Sequence, residues 1–290
     1  MAARFEYFAP ASIDEALELL QTHGAGACVM AGGTDVMVRV SHGHIRPAAI
    51  VSIKKIPGLA TLTASPDKGL TIGALALLSD VAAHPDIVRW YPAVAEAARS
   101  TANVQVRNMG TVVGNLCNAS PSADNAPVLL AMGAEVVITG VSGERRLLLS
   151  DFFTGPGRTA LVPPELVTAV HVPAPAAGTG VVYRHLSARG AMDCAAVNVG
   201  VMVTVDAGVC QAAGIAVGAC APTPIRARSA EAALIGQGLS EAAIAAAAQA
   251  AAGQVLPIDD VRASAGYRRR MVQVLVKRAL KAAAERAVNG

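Results

Sequence analysis

Residues 109–124 read MGTVVGNLCNASPSAD, a stretch that is rich in small residues and side-chain amides. A further glycine-bearing segment, AGGTD at residues 31–35, follows an apolar run that predicts a short buried strand. Both segments offer backbone N–H groups and a short hydroxyl, which belongs to Thr34 in one and Thr111 in the other. Such groups satisfy phosphate oxygens without a lysine, so the two segments could grip one diphosphate from both sides. Each is also compatible with an ordinary hairpin turn, and the residues alone leave both interpretations open.

One carboxylate, Asp124, lies in this otherwise uncharged polar stretch. An isolated acid among amides and hydroxyls can accept hydrogen bonds from the hydroxyl groups of a sugar or sugar alcohol. The alternative role is structural, because an acid can also cap a helix N-terminus or lie in its first turn. The sequence does not decide between these two roles.

The composition excludes several classes of protein. Of the 290 residues, 53% are hydrophobic and 16% are charged, and the mean hydropathy is +0.45, which is opposite to the balance of a disordered chain. Aromatic residues make up only 3%, so we expect a core of Ala, Val, Leu and Ile. The longest apolar run, residues 242–252, is dominated by alanine and is too short to span a bilayer. Arg4 and Glu6 lie where a secretory leader would be apolar, so we expect a soluble, cytoplasmic protein.

The net charge and the spacing of the cysteines argue against further kinds of partner and site. A formal net charge of +3 is small for this length and predicts no nucleic-acid partner. The basic cluster at residues 268–270 is expected on a solvated helix surface. The cysteines are odd in number and lack C-x-x-C spacing, which argues against a disulfide framework, a zinc site or a four-cysteine iron–sulfur cluster. We expect small buried thiols in a reducing compartment at Cys28, Cys117, Cys194, Cys210 and Cys220.

The common hydrolytic and nucleotide-binding motifs are absent from the sequence. It lacks Gly-x-Ser-x-Gly, His-Glu-x-x-His, the phosphate loop Gly-x-x-x-x-Gly-Lys, and Gly-x-Gly-x-x-Gly at a strand-to-helix turn. His42 and His44 are the one close histidine pair, and we expect them in a solvated loop. The sequence therefore predicts no metal site, and we assign no catalytic residue.

The hydrophobic pattern predicts two units of mixed helix and strand. Ser12 and Glu15 form a capping box that starts the first helix, and Gly24 ends it. The first unit is expected to have strands at 27–31, 48–53, 70–72, 135–139, 145–149 and 166–172, and helices at 79–85, 92–102 and 127–132. A glycine-rich link at Gly178 marks the boundary. The second unit is expected to be a meander at 181–186, 195–205 and 209–219, with helices at 229–235, 240–252 and 267–288.

Several spaced motifs together carry a family resemblance that covers nearly the whole chain. They are Phe5-x-Tyr7-x-x-Pro10, Glu15-Ala16 with Leu19-Leu20, residues 31–35, Arg107-Asn108 through Pro121 and Asp124, Arg189 with Asp193 and Ala195, and Tyr267-Arg268 through Arg278-Ala279. With these motifs the chain resembles the FAD-binding medium subunit of the molybdenum hydroxylases, the xanthine dehydrogenase and carbon monoxide dehydrogenase group. The resemblance implies an α+β fold. A two-lobed FAD-binding domain of the vanillyl-alcohol-oxidase-like type would occupy residues 1–176, with its lobes split near residue 55. A C-terminal domain at residues 177–290, with an antiparallel β-meander and helices, would complete the flavin pocket.

The resemblance also implies a set of FAD-binding residues. The diphosphate would be held by Val29, Met30, Ala31, Gly32, Gly33, Thr34, Asp35 and Val36 from one side, and by Thr111, Val112, Val113, Gly114 and Asn115 from the other. Asp124 would meet the ribityl chain, Thr101 would contribute to the pocket near the flavin, and Leu161 would cover the isoalloxazine.

Two positions depart from the family pattern. Val113 replaces one of two glycines that are usual in the second loop, and a β-branched residue there restricts the backbone. His185 falls where many members have a lysine near the ring. Either Arg184 or a protonated His185 could supply the missing charge, and the sequence leaves this open.

The function implied is that of an electron-transfer flavoprotein subunit. A large partner subunit would carry the molybdopterin cofactor and a small one [2Fe-2S] clusters, in a dimer of heterotrimers, and FAD on this chain would pass electrons to an external acceptor. The main alternative is a stand-alone flavin oxidase or dehydrogenase with its own substrate pocket, in which His42 or His44 could hold the flavin covalently. A second alternative is a binding scaffold that has lost its flavin because of Val113.

Overall fold

The computed structural model describes residues 4–190 and 192–289. Its strands are β1 (Glu6–Phe8), β2 (Ala27–Met30), β3 (Ala49–Ser52), β4 (Leu62–Ser65), β5 (Gly69–Gly73), β6 (Glu135–Gly140), β7 (Gly143–Leu148), β8 (Phe153–Gly155), β9 (Arg158–Thr159), β10 (Leu166–Val172), β11 (Thr179–Leu186), β12 (Val197–Asp206), β13 (Val209–Gly218) and β14 (Ile225–Arg226). Its α-helices are α1 (Ile13–His23), α2 (Val36–Ser41), α3 (Leu78–Ala83), α4 (Pro85–Trp90), α5 (Pro92–Ser100), α6 (Val104–Arg107), α7 (Val112–Cys117), α8 (Asn125–Ala131), α9 (Leu149–Phe152), α10 (Arg228–Ala232), α11 (Glu241–Gln254) and α12 (Ala265–Asn289). The predicted α+β class is confirmed.

The chain begins with a small parallel sheet in the order β1-β3-β2. The capping box starts α1 as predicted, since Ser12 Oγ accepts a hydrogen bond from the N–H of Glu15 at 3.1 Å. Glu15 Oε2 in turn accepts from the N–H of Ala11 at 2.8 Å. After β2 the chain turns through residues 31–35 directly into α2, so these residues lie at the carboxyl end of a parallel strand.

A second, five-stranded antiparallel sheet has the order β4-β5-β10-β6-β7. Helices α3 to α8 lie between β5 and β6 in the chain, and their buried side chains pack with those of the sheet in one core. The largest fully buried side chains of this core include Leu70, Ile72, Leu116, Leu129 and Ile138. Aliphatic packing therefore fixes α7, which contacts both β5 and β10.

The C-terminal part is an antiparallel meander in the order β11-β12-β13-β14. Helix α12 packs directly on β11 and β12, and α11 packs against α12. The predicted hairpin turn joins Asp206 to Val209, and the two residues between them both have positive φ, as a type I′ turn requires. A separate core fills this part, and much of it is alanine, as the composition predicts: Ala247, Ala248, Ala251, Ala279 and Ala283 are all buried. The confirmed architecture is thus an N-terminal α+β part followed by a meander with helices.

Helix α8 joins the two parts, because it lies directly on β12 and β13. A Cβ atom at Gly200 would overlap the backbone of Pro127, and a Cβ atom at Gly214 would overlap the carbonyl of Ala131. Glycines at these sheet positions therefore let the helix backbone approach closely. The result is that Asp124, which immediately precedes α8, is brought beside β11 and β12.

Five short helices, α2, α4, α6, α7 and α9, were not predicted from the sequence. Residues 111–115 are not a hairpin turn, because they form the N-cap and first turn of α7.

The expectation of a solvated surface at residues 268–270 is wrong for Arg268, which is 3% exposed. Arg268 donates to the carbonyl oxygens of Ala196 and Ala219 at 3.2 and 2.7 Å and pairs with Asp260 at 2.6 Å. Within the described ranges, no helix is both long enough and apolar enough to cross a membrane.

Candidate functional site

A cavity of about 510 Å³ lies where β2, α2, α7 and the loop before α8 meet. Most of the residues predicted to bind a cofactor line it: Val29, Ala31, Gly32, Gly33, Thr34, Asp35, Val36, Thr101, Thr111, Val113, Gly114, Asn115, Asp124 and Leu161. Met30, Val112 and His185 are not among its lining residues. Val112 is fully buried in the first core, and His185 lies behind Asp124. The fold therefore brings together segments that are far apart in the sequence.

The first wall of the cavity is the turn between β2 and α2. Gly33 has φ +82°, and a Cβ atom at Gly32 would overlap the backbone of Met109 and Gly110, so the two predicted loops are in contact. The backbone N–H groups of residues 32–36 donate a hydrogen bond to no other described residue. Gly32 is buried, and Gly33, Thr34 and Val36 are half-buried, so these donors have limited access to bulk water. They indicate a place where an external acceptor, such as a phosphate, completes the hydrogen bonding.

The second wall is the N-terminus of α7. Thr111 is the N-cap residue, and its Oγ1 accepts a hydrogen bond from the N–H of Gly114 at 2.9 Å. A Cβ atom at Gly114 would lie 2.8 Å from that hydroxyl oxygen, so glycine preserves the cap. Val113 is 3% exposed and packs in the first core. A β-branched residue fits there because the segment is a right-handed helix, in which no positive φ is needed.

A buried amide network supports the cavity between these walls. Asn125 Nδ2 donates to Thr101 Oγ1 at 3.2 Å and to Asn115 Oδ1 at 3.1 Å. The Oδ1 atom of Asn125 is buried and has no partner among the described residues. Arg107 fixes the adjacent loop through the carbonyl oxygens of Thr101 and Ala102, at 3.0 and 2.8 Å. Sequence reasoning missed the role of Asn125, although its position next to Asp124 was a signal.

Asp124 lies on the cavity wall and is 8% exposed. Although it occupies the N-cap position of α8, its backbone is helical and its side chain makes no capping hydrogen bond. Its Oδ1 instead accepts from Tyr183 Oη at 2.9 Å and from Asn198 Nδ2 at 3.3 Å, and lies 2.9 Å from His185 Nδ1. Asp124 thus has the predicted N-cap position but makes no side-chain capping hydrogen bond, and its role toward a ligand stays a prediction.

The titration of the groups around the cavity follows from their burial. Burial first, and the charge of Asp124 second, raise the pKa of Tyr183 well above its usual value, so the phenol stays protonated and donates. Burial raises the pKa of the Cys117 thiol to about 12 and also raises that of Cys28. Both thiols are thus protonated at neutral pH and unsuited to metal binding or nucleophilic attack. At the first wall, desolvation raises the pKa of Asp35, although Arg39 opposes this effect.

The loop that carries Leu161 is fixed by an ion pair. Glu165 binds Arg145 through both carboxylate oxygens, at 2.7 and 2.8 Å, and also accepts from the N–H of Val162 at 2.8 Å. The hydrogen bond from Arg145 lowers the pKa of Glu165, which keeps the carboxylate ionised. Leu161 is thereby held at the cavity by a short, well-anchored segment.

Comparison with known proteins agrees with this geometry over the whole chain. The family described as FAD binding domain in molybdopterin dehydrogenase matches residues 3–175, and the CO dehydrogenase flavoprotein C-terminal domain matches residues 182–283. The chain belongs to the FAD-binding medium subunits of the molybdenum hydroxylases. This medium subunit is 34% identical to the carbon monoxide dehydrogenase medium chain of Hydrogenophaga pseudoflava, over 97% of each chain. It is 35% identical to the 6-hydroxypseudooxynicotine dehydrogenase complex subunit alpha of Paenarthrobacter nicotinovorans, over 98% of this chain and 95% of the relative.

The three-dimensional similarity is equally extensive. The solved structure of the carbon monoxide dehydrogenase from Hydrogenophaga pseudoflava that lacks the Mo-pyranopterin moiety of the molybdenum cofactor superposes with a TM-score of 0.94. The identity is 35%, and the match covers 99% of each chain. The medium subunit is thus part of a multi-subunit oxidoreductase and carries FAD. Its residues fit that cofactor, since the unpaired N–H groups of residues 32–36 suit a diphosphate and Asp124 suits a polyol.

The residues that hold Asp124 could not be found from the sequence. Tyr183 and Asn198 lie 59 and 74 residues away from it, and neither belongs to a motif. His185 was singled out only because a lysine is usual there. In this medium subunit its Nδ1 atom reaches the same carboxylate oxygen as Tyr183, so it is part of the support of Asp124.

Proposed function

We propose that this medium subunit transfers electrons between its partner subunits and an external acceptor. When bound, FAD supplies the chemistry, since it accepts electrons that arrive from iron–sulfur clusters and passes them on. The chain supplies the binding, the orientation and the tuning of that cofactor. The observation that carries the proposal is one cavity that combines the unpaired N–H groups of residues 32–36 with Asp124.

The diphosphate is proposed to lie between the two glycine-bearing segments. Residues 29–36 would bind it from one side and residues 111–115 from the other, which is supported by the direct contact of Gly32 with the chain at Met109. Backbone donors and the adjacent helix N-termini favour an anion at this point. Met30 and Val112 would then act by shaping the two segments, because neither side chain lines the cavity.

The rest of the cofactor is proposed to extend along the same cavity. Asp124 would accept from the ribityl hydroxyls, and Thr101 would lie close to the flavin. Leu161 would cover the isoalloxazine with an apolar side chain that excludes water. His185 would act near the ring through Asp124. The proposed division into residues 1–176, with lobes split near residue 55, and residues 177–290 is supported by the two separate cores and by the separate sheets β1-β3-β2, β4-β5-β10-β6-β7 and β11-β12-β13-β14.

The partners are proposed to be a large subunit with a molybdopterin cofactor and a small subunit with [2Fe-2S] clusters, in a dimer of heterotrimers in the cytoplasm. Support comes from the names of the relatives, which are chains of multi-subunit dehydrogenases. Exposed apolar side chains on one segment, Leu256, Ile258 and Val261, also suit burial against another chain. The five cysteines are free thiols, as a reducing compartment allows.

The experiment is native purification with an affinity tag on this chain, expressed together with its neighbouring genes. We expect two further chains to co-purify, with molybdenum and iron in the complex and a size-exclusion elution volume smaller than that of a 29 kDa protein. A control with a tag on an unrelated flavoprotein excludes non-specific capture. A single 29 kDa species without bound molybdenum or iron would contradict the proposed assembly.

A further inference from the structure

The two carboxylate oxygens of Asp124 have different surroundings. Oδ1 lies within 2.9 to 3.3 Å of nitrogen or hydroxyl groups on Tyr183, His185 and Asn198. Oδ2 receives no hydrogen bond from any residue in the described ranges 4–190 and 192–289. Asp124 lines the cavity, whereas its three neighbours do not. The protein therefore holds one oxygen and leaves the other to a ligand.

All three neighbours belong to the C-terminal part of the chain. His185 on β11 is the register partner of Asn198 on β12, and Tyr183 lies two residues earlier on the same face. The register partner of Tyr183 is Gly200, which leaves the space that α8 occupies. The same sheet surface thus accepts α8 and presents three side chains to the residue that precedes it.

The protonation states of these groups suit donation to a carboxylate. Tyr183 is 1% exposed and stays a neutral phenol, so its hydroxyl donates. Asn198 is fully buried, and its Nδ2 donates to Asp124 and, at 3.3 Å, to the carbonyl of Ala123. His185 Nδ1 lies 2.9 Å from the same oxygen and donates to it in the tautomer that carries the proton on Nδ1. Three donors on different side chains then fix the plane of the Asp124 carboxylate.

We infer that Tyr183, His185 and Asn198 are positioning residues for the binding of FAD. They hold Oδ1 of Asp124 and thereby orient Oδ2 toward the ribityl hydroxyls. This inference rests on the proposed function, since it takes Asp124 as a ligand of the ribityl chain. It assigns to the C-terminal part a direct influence on flavin affinity, exerted through a residue of the N-terminal part.

A carboxylate that is already oriented loses less conformational freedom when the ligand binds. Without one of its donors, Asp124 must be ordered by the ligand itself. The cost expected from ordering one side chain corresponds to a loss of affinity of about three- to tenfold. A merely structural role would instead lower the melting temperature and leave the affinity for FAD unchanged.

The first test compares two tyrosine substitutions in the whole chain, stripped of flavin and titrated with FAD. Y183F removes the hydroxyl from Asp124 but keeps the ring. Y91F is the matched control, because Tyr91 is equally buried and its hydroxyl donates to the carbonyl of Ser65, away from the cavity. We expect Y183F to weaken FAD binding about three- to tenfold and Y91F to change it by less than twofold.

A double-mutant cycle with D124A decides whether Tyr183 acts through Asp124. We expect Y183F to have less than a twofold effect on FAD affinity in the D124A background. An equal loss in both backgrounds would overturn the inference. If D124A itself leaves the affinity unchanged, the ribityl assignment of the proposed function fails, and the inference fails with it. If D124A weakens binding and Y183F does not, only the inference fails.

His185 provides a second, less buried position if Y183F does not fold, since 15% of its side chain is exposed. H185L removes the donor, and H185Q keeps an N–H group that can reach the carboxylate. We expect H185L to weaken FAD binding and H185Q to restore most of the affinity, with similar melting temperatures of the two apoproteins. Equal affinities of H185L, H185Q and the wild type would overturn the positioning role.

Discussion

Gly33 offers the sharpest test of the diphosphate site. It has φ +82°, and a Cβ atom there would lie 3.1 Å from Met30 Sδ, on the turn whose N–H groups are unpaired. In G33V the side chain forces this turn to move, because an L-residue with a branched side chain strongly disfavours positive φ. Loss of two hydrogen bonds to phosphate would cost about 2–3 kcal/mol, which corresponds to an FAD affinity lower by a factor of about 30–150.

The control for G33V is G43V. Gly43 also has a positive φ, +72°, it has open space around it, and it does not line the cavity. Both variants should lose stability from backbone strain, which differential scanning fluorimetry of the apoproteins measures. Isothermal titration with FAD should then separate them, since only G33V loses affinity. If G33V binds FAD within twofold of G43V, residues 32–36 do not hold the diphosphate.

Three further predictions address the rest of the account. D124A should lower FAD affinity about tenfold or more and D124N by an intermediate factor, because a charge-assisted hydrogen bond is lost. D124A should also lower the apoprotein melting temperature while leaving the chain folded, because the buried donors Tyr183 and Asn198 lose their acceptor. Equal affinity of D124N and wild type by titration would speak against a charged acceptor. G200A should lower the melting temperature strongly, because its Cβ overlaps the backbone of Pro127. The control G253A should be neutral or stabilising, because Gly253 lies on a helix with open space around it. Similar melting temperatures of the two variants would refute the close packing of α8 on β12 and β13. Burial opposes the ionisation of Asp260, but hydrogen bonds from Arg262 and Arg268 prevail and lower its pKa from 3.8 to about 2. The ionised Asp260 therefore stabilises the fold above pH 4, and this stabilisation is lost as the pH falls toward 2. The melting-temperature advantage of the wild type over D260N should shrink from pH 5 to pH 3, and a constant difference would contradict this prediction.

The sequence predicted the elements whose conformation is determined by residues that are close together in the chain. The capping box at Ser12 and the hairpin turn at residues 206–209 are such cases, and the structure confirms both. Helix α7 was missed because two adjacent valines and a glycine are poor helix formers, so packing against β5 and β10 decides its conformation. Short helices of this kind depend on tertiary contacts that no local pattern reveals.

The residues of the candidate site likewise fall into those that the sequence predicted and those that it did not. The glycine-bearing segments and Asp124 could be recognised from their composition and their resemblance to a family. The partners of Asp124 could not, because contacts with Tyr183 and Asn198 depend on the register of β11 and β12 and on the seating of α8. The burial of Arg268 could not be predicted either, because the carbonyl groups that accept its hydrogen bonds belong to two loops that are distant in the sequence.

The most direct test of the central claim is the flavin content of the chain as it is purified under native conditions. The visible spectrum should show an oxidised flavin at one equivalent per chain, and acid precipitation should release all of it as FAD. Flavin that stays with the denatured protein would instead indicate a covalent flavin oxidase. Colourless protein that also fails to bind added FAD would contradict the account as a whole.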